Sequence, residues 1–284
     1  MTSEKLLFYL EEDIAGGDIT SDALIPDIKT NAHIIAKEEG VIAGLLEGKA
    51  LFSHFGIEAE LKKKDSDKVR PGDILIELSG NARAILLTER TVLNIIGRMS
   101  GVATKTARLS LIVKSINPHA NVCGTRKTSP GFREFDKKAI ILGGGDPHRY
   151  SLSDGFLIKD NHLALCPLKE AIRKAGEYTA YKKVEVEVET TKDAVTAAEC
   201  GADIIMLDNM PPEKIKDAIK ALEDANLRNN IIIEASGGIT GENIKAYAEC
   251  GVDRISLGEL THSVKNLDVS LEIKPALKTL KMNI

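Results

Sequence analysis

The spacing of apolar residues changes twice along this chain. In the first hundred residues no single period holds. Leu6, Leu7 and Leu10 share one helical face, which Ser3 can cap, and EEDIAGGDIT then turns on Gly16-Gly17. NAHIIAKEEGVIAG reads as strand, turn, strand, and LLEGKALFSHFG as a helix closed by Gly56. KVRPGDILIELSG sets a Pro-Gly turn before an apolar run, the pattern of a hairpin. Strands and helices without regular alternation predict a small α+β domain. Next, NARAILLTERTVLNIIGRMSGVATKTARLSLIVKSI repeats apolar residues at three- and four-residue steps. It predicts a long helical region, broken near Gly101, that bridges to a second domain.

From Ala120 onward short apolar runs alternate with amphipathic helices. Strands are predicted at Asn121-Cys123, Gly155-Ile158, Lys183-Val188, Ile204-Leu207, Ile231-Ala235 and Arg254-Leu257. Helices are predicted at Leu168-Ala175, Thr191-Cys200, Pro212-Asp224 and Thr240-Cys250. Such alternation implies a parallel sheet. AECGADIIML and AECGVDRISL repeat one design: helix end, glycine cap, aspartate, strand. Six units fit an incomplete (β/α) barrel better than its rival, a doubly wound open sheet, because polar residues close nearly every strand. The expected organisation is an N-terminal α+β sandwich with its bridging helix over 1–115 and an incomplete α/β-barrel domain over 116–265. The tail 266–284 would pack back on the first domain.

Composition narrows the partners. The chain has 284 residues, 43% hydrophobic and 28% charged, and a formal net charge of -4. A mildly acidic balance argues against nucleic acid. Cys123, Cys166, Cys200 and Cys250 show no metal-binding or paired spacing, which fits a reducing compartment. The N-terminus lacks the pattern of a secretion signal, and no apolar stretch is long enough for a membrane span. A cytoplasmic protein is expected.

Against that acidic total, Gly124 to His162 gathers Arg126, Lys127, Arg133, Lys137, Lys138, His148, Arg149 and Lys159 around Gly143-Gly144-Gly145. Arginine forks and lysine charges grip carboxylates and phosphates. Lys137-Lys138 reads instead as the solvated face of an amphipathic helix. At other strand ends stand Glu185, Glu187 and Glu189, then Asp208-Asn209, then Glu234-Ala235-Ser236-Gly237-Gly238, then Gly258 with Thr261-His262. Ser236-Gly237-Gly238 ahead of a helix starting near Thr240 suggests a phosphate cradle, completed by Gly258. Alternation puts Glu185, Glu187 and Glu189 on one face, where burial demands cations or a metal. Glu187 with Asp208 could hold Mg²⁺ carried by a diphosphate, while Glu185 and Glu189 could equally form a structural salt-bridge cluster. No Ser-His-Asp or Cys-His pairing is evident from spacing. Two anion sites and a hard-cation pair suggest group transfer by electrostatic positioning.

At these residues the sequence resembles the quinolinate phosphoribosyltransferase family, the carboxylating nicotinate-nucleotide pyrophosphorylases. EEDIAGGDIT, LLTERTVLNIIGRMSGVAT, TRKTSPGFR, GGGDPHRYSLSD, LIKDNH, EVEVE, IIMLDNM, EASGGI and LGELTHS follow that family's order across almost the whole chain. The resemblance implies an enzyme that joins quinolinate to phosphoribosyl pyrophosphate with Mg²⁺, giving nicotinate mononucleotide, diphosphate and carbon dioxide. It implies a homodimer or a larger assembly of dimers with shared sites. Carried over by position, Arg126, His148, Arg149 and Lys159 would hold quinolinate's carboxylates, with Thr125 beside them, and Arg90 would come from the partner subunit. Lys127 would stand near both substrates. Glu187 and Asp208 would face ribose and metal, and Ser236, Gly237, Gly238, Gly258 and His262 the phosphates. One departure is Gly124, where many members carry Asp before the TRKT threonine. The competing readings are a paralogous phosphoribosyltransferase for nicotinate or a molybdenum-operon substrate, and a non-catalytic ligand sensor. LIKDNH favours the quinolinate enzyme over the molybdenum-linked paralogues.

Overall fold

The computed structural model describes residues 3–273, with Ser3 as backbone only. The expected Ser3 cap and the part of the tail beyond Ile273 lie outside the described residues. The chain divides into two compact units: one ends at Thr104 and resumes at Val264, and the other is Lys105–Ser263. The division falls inside a helix rather than at 115/116, because that helix continues unbroken past the end of the first unit.

The first unit contains α1 (Ser3–Ile14), α2 (Ile19–Leu24), β1 (Lys29–Ala36), β2 (Gly40–Val41), α3 (Leu45–His54), β3 (Glu58–Leu61), β4 (Lys68–Val69), β5 (Ile74–Asn81) and most of α4 (Ala82–Ile116). Its antiparallel sheet is completed by β12 (Val269–Ile273), in the order β12-β1-β5-β3. Residues 269–273 are thereby the edge strand beside β1. The strand pairing differs from the sequence reading. β1 does not pair with β2, nor β4 with β5; β2 pairs with β4 instead. Pro71-Gly72 makes a turn between strands of different sheets. Ile34, Leu75 and Ile76 are fully buried with Ile85, Val92 and Ile96 of α4. Gly48 of α3 permits close packing: a methyl there would stand 3.0 Å from Val92 and 3.2 Å from Ile96.

The expected break near Gly101 is absent, for α4 runs as one helix of 35 residues. Its two mid-helix glycines serve a crossing. Leu267 N–H donates to the Gly97 carbonyl at 2.9 Å. A methyl at Gly101 would collide with the Lys265 carbonyl oxygen. Glycine is needed there for close approach by another backbone, a reason that helix periodicity does not reveal.

The second unit contains β6 (Asn121–Cys123), α5 (Arg133–Leu142), β7 (Phe156–Ile158), α6 (Asp160–Leu163), α7 (Leu168–Tyr178), β8 (Val184–Val188), α8 (Thr191–Glu199), β9 (Ile204–Asp208), α9 (Pro212–Asp224), β10 (Ile232–Ser236), α10 (Ile244–Ala248), β11 (Arg254–Ser256) and α11 (Glu259–His262). All six strands are parallel, in the order β6-β11-β10-β9-β8-β7. The last strand therefore lies beside the first. That is the winding of a (β/α) barrel cut between its first two strands, and it removes the doubly wound alternative, whose strand order reverses at a switch point. The sheet is not a closed barrel. β6 and β7 do not pair; the free edge of β6 carries an isolated parallel bridge from Cys123 to Asp146.

The repeated AECG-x-D segments do one job twice. Gly201 (φ 87°) and Gly251 (φ 83°) end their helices in the left-handed region. Asp203 then accepts from Val184 N–H at 2.8 Å, and Asp253 from Ile233 N–H at 2.7 Å. Each aspartate ties the start of its own strand to the neighbouring one. Lys183 and Arg228 cover the two carboxylates.

Replacing Gly101 by Ala tests the crossing. In an unhindered helix this change stabilises by about 0.5–1 kcal/mol. Here the clash with Lys265 reverses the sign, and a loss of about 1–3 kcal/mol is expected in urea unfolding.

Candidate active site

Parallel winding brings every strand of the second unit to one rim. The C-terminal strand ends and the loops after them enclose a cavity of about 900 Å³, lined entirely by residues between 124 and 256. Arg126, Lys127, His148, Arg149, Lys159, Glu187, Asp208, Ser236, Gly237 and Gly238 all line it.

One wall is basic. Gly124 N–H donates to the Asp146 carbonyl at 2.9 Å, and Asp146 N–H to the Val122 carbonyl at 2.8 Å. That bridge lays the segment after the glycine run along β6 and sets His148-Arg149 beside Arg126. His148 adopts φ 58°, and its backbone N–H donates to Asp146 Oδ1 at 2.7 Å. Such a conformation is costly for a residue with a side chain and is often kept at functional sites. Arg126 Nε is buried without a hydrogen-bond partner. Arg149 donates to the Gly155 carbonyl at 3.3 Å. Burial, and then the Arg126 charge, weaken proton binding at Arg149, while Glu185 and Glu187 oppose that effect.

From the opposite edge, Lys159 Nζ donates to Glu187. Its backbone N–H donates to His162 Nδ1 at 2.9 Å, so the tail of LIKDNH forms the turn that presents Lys159. Lys127 is exposed, but its backbone is fixed. Its N–H donates to Thr125 Oγ1 at 3.1 Å, and Thr261 Oγ1 donates to its carbonyl at 2.7 Å.

Lys137 corrects the sequence reading. It is buried, 3% exposed, and its ammonium donates to the Pro147 carbonyl. Burial, and then the Arg133 charge, lower its pKa to about 8. Outward charge on α5 was inferred from amphipathic spacing, which cannot see that the loop carrying His148 folds over the helix.

The floor is acidic. His148 Nε2 lies 3.4 Å from Glu185 Oε2 and 3.4 Å from Glu234 Oε2. Glu234 is fully buried and Glu185 is 4% exposed. The Arg149 amide N–H donates to His148 Nδ1 at 2.8 Å, so the ring's own proton sits on Nε2 and faces both carboxylates. Burial alone would weaken the ring's hold on its proton, but the two glutamates facing Nε2 outweigh it. Burial likewise raises Glu185. Both directions mean that these three groups together retain a proton.

The remaining wall pairs carboxylates with glycines. Glu187 is half-buried and raised first by burial, with Lys159 opposing and Asp208 reinforcing. Asp208 accepts from Asn209 Nδ2 at 2.7 Å. Asn209 has φ 53°, and its N–H donates to the Ser236 carbonyl at 2.9 Å. Any Cβ at Gly237 would strike Asn209. Gly237 (φ 89°) and Gly238 (φ 60°) follow in the left-handed region. The helix expected from Thr240 begins only at Ile244 and has 5 residues. Thr240 N–H is taken by Asn243 Oδ1 and Gly241 N–H by Glu259 Oε1. Any anion cradle here is therefore the glycine turn itself and owes nothing to a helix terminus.

Gly258 and His262 adjoin Lys127 rather than line the cavity. A Cβ on Gly258 would stand 2.8 Å from His262 Nε2 and 3.0 Å from Lys127 Cδ. Arg90 is an exposed residue of α4 in the first unit. Glu189 is exposed at the mouth, so the alternating glutamates grade from buried to solvated along one face of β8.

Sequence reasoning gave no role to Glu234 and overlooked Ser256, both of which line the cavity. The available signal was period two: Glu234 and Ser236 share a face of β10. Gly124 also has a local cause. A Cβ there would press into Ile140 of α5, so Ile140 fills the space that a side chain at 124 would need.

Comparison with known proteins supplies the context. Residues 18–100 match the family model for the quinolinate phosphoribosyl transferase N-terminal domain, and residues 102–272 match that for its C-terminal domain. The chain is 43% identical over 268 residues to a protein of Methanothermobacter thermautotrophicus named probable nicotinate-nucleotide pyrophosphorylase (carboxylating), covering 93% of this chain and 96% of that one. It is 46% identical over 258 residues to a protein of the same name from Archaeoglobus fulgidus, covering 90% and 98%. Among solved structures, the nicotinate-nucleotide pyrophosphorylase from Francisella tularensis superposes with a TM-score of 0.89 at 36% identity, covering 96% of this chain and 98% of that one.

Two outcomes are expected from this geometry. Gly124→Ala should cost about 1–3 kcal/mol by overpacking, and Ile140→Val should recover much of that loss in a double-mutant cycle. The pH effect follows from Glu185, whose carboxyl burial raises above its ordinary value, so the folded chain keeps a proton there that the unfolded chain has released. That contribution is complete below the ordinary carboxylate value of about 4.5 and is lost as pH rises through the raised one. Glu185→Gln, which cannot ionise, should therefore gain stability relative to the parent chain as pH rises above that value in urea unfolding; a constant gap would remove Glu185 from this linkage.

Proposed function

The chain belongs to the quinolinate phosphoribosyltransferase family, and from that premise we propose how its residues carry out phosphoribosyl transfer to quinolinate with decarboxylation. The products are nicotinate mononucleotide, diphosphate and carbon dioxide, a step of de novo NAD biosynthesis. The observation that carries this reading is the convergence of Arg126, Arg149 and Lys159 on one cavity whose opposite wall holds Gly237-Gly238.

Quinolinate is a dianion, and its ring nitrogen attacks only after losing water. Arg126, Arg149 and Lys159 replace that water with fixed charge, and the unpartnered Arg126 Nε is suited to a carboxylate oxygen. His148 completes this side. Ser236, Gly237 and Gly238 take the 5′-phosphate, and Gly258 and His262 the diphosphate end, with Lys127 between the substrates. As the C1–diphosphate bond lengthens, positive charge grows on the ribose, and Glu187 and Asp208 stabilise it. Once the pyridine nitrogen is quaternised, the C2–carboxylate bond breaks and the ring accepts the electron pair. No covalent nucleophile is required.

Glu187 and Asp208 suit a hard divalent cation. They are two carboxylates at neighbouring strand ends lining one cavity, and Mg²⁺ commonly takes one or two such ligands alongside substrate phosphates. Mg²⁺ held there would offset the charge of the departing diphosphate. Lys159 occupies Glu187 in this structure and is drawn toward quinolinate's carboxylate on binding.

A homodimer with shared sites belongs to the same proposal, Arg90 being supplied by the partner. So does a cytoplasmic location, supported by four free cysteines.

Formation of nicotinate mononucleotide and carbon dioxide from quinolinate, phosphoribosyl pyrophosphate and Mg²⁺ tests the activity directly. Lys127→Ala should lower turnover at least a hundredfold with unchanged urea stability; near-normal turnover would remove Lys127 from the mechanism. Arg90→Ala should be impaired and regain activity when mixed with Lys127→Ala, because one hybrid site would be intact. Absence of such rescue would place each site within one subunit.

A further inference from the structure

A dianion seat is an unfavourable place for buried carboxylates, yet Glu185 and Glu234 lie beneath it. Glu234 is fully buried on β10. Its Oε1 accepts from Ser256 Oγ on the adjacent strand β11 at 2.6 Å, and Ser256 is itself 4% exposed. Its Oε2 has no hydrogen-bond partner and faces His148 Nε2 at 3.4 Å, where Glu185 also points.

A metal ion is one candidate for this place, since His148, Glu185 and Glu234 offer ligand atoms within 4.8 Å of one another. The tautomer argues against it. With Nδ1 accepting the Arg149 amide, Nε2 bears the ring proton and has no lone pair to give. The arrangement is instead a brace. His148 is held at its backbone N–H by Asp146, which Arg254 fixes at 2.6 Å, at Nδ1 by the Arg149 amide, and at Nε2 by the two glutamates. These restraints together hold His148, a non-glycine residue, at φ 58°. Because the Arg149 amide is one of the three restraints, fixing the ring also fixes the residue that follows it.

We propose that Glu234, anchored by Ser256, is a positioning residue: it holds His148 and Arg149 in register for the pyridine dicarboxylate and leaves the sugar-phosphate side untouched. The inference rests on the functional reading above. It concerns one substrate only, which separates it from a general structural role.

Steady-state kinetics and titration calorimetry with phthalate, a non-reacting aromatic 1,2-dicarboxylate, would decide it for Glu234→Gln and Ser256→Ala. Glu234→Gln should raise the KM for quinolinate at least tenfold and weaken phthalate binding by a similar factor. The KM for phosphoribosyl pyrophosphate should stay within twofold. Ser256→Ala, which alters no charge, should shift the same two quantities by a smaller factor. A quinolinate KM within twofold of the parent chain, or parallel losses for both substrates, overturns the proposal. If Glu234→Gln does not fold, Ser256→Ala carries the test on the same criteria. Should the parent chain fail to turn over quinolinate, the functional reading falls, and phthalate affinity still judges this inference: equal affinity in parent and variants refutes it.

Discussion

Like charges crowded into a half-buried cavity repel, and the second unit is arranged around relieving that repulsion. Two unit charges 4 Å apart interact by about 4 kcal/mol at the effective dielectric of a protein surface. A wall containing Arg126, Arg149 and Lys159 would not hold its shape without compensation. The glutamates of β8 and β10 provide it at graded depth. Glu185 and Glu234 face His148 from below, and Glu187 takes Lys159 at the rim. The deeper pair is buried, whereas the rim pair of Glu187 and Lys159 is partly open to solvent.

The cut in the barrel is part of the same arrangement. In a closed barrel the edge of β6 would pair with β7 and leave no room for the segment after α5. Here that edge takes up Asp146 through two backbone hydrogen bonds. His148 and Arg149 thereby enter the site from a loop, while Arg126 enters from the end of the strand that the loop lies against. An open seam thus permits two arginines from distant stretches of sequence to face one ligand.

Much of this was legible from the sequence because it depends on local pattern. The six strands of the second unit and helix α9 lie where apolar runs and caps put them, since parallel strands buried on both faces leave a strong signal. The residues brought to the rim were legible too, because they follow strand ends. What failed depended on long-range contact. The pairing of β2 with β4 joins short strands separated by α3 and β3. The continuity of α4 through Gly101 depends on a backbone arriving from Lys265. The burial of Lys137 depends on a loop ten residues later, and the delayed start of α10 on Asn243 and Glu259 capturing the amides of Thr240 and Gly241. Glu234 was visible as a strand-end residue, but its role needs His148 above it and Ser256 beside it. No spacing rule links three residues on a loop and two strands.

Glycine placement in the site follows from how closely backbones must approach. At Gly237 the turn after β10 presses on Asn209, which itself sits in the left-handed region; a side chain on either partner's path would push the two strand ends apart. At Gly258 the bare α-carbon leaves room for Lys127 and His262 together. At Gly124 the space is already filled by Ile140, so an apolar contact lies beneath the basic strand end. Behind that contact Lys137 is buried, and the Asp146 carboxylate that acts on it is shared with Arg254. The low proton affinity of Lys137 follows first from its burial and then from the Arg133 charge, with Asp146 opposing both.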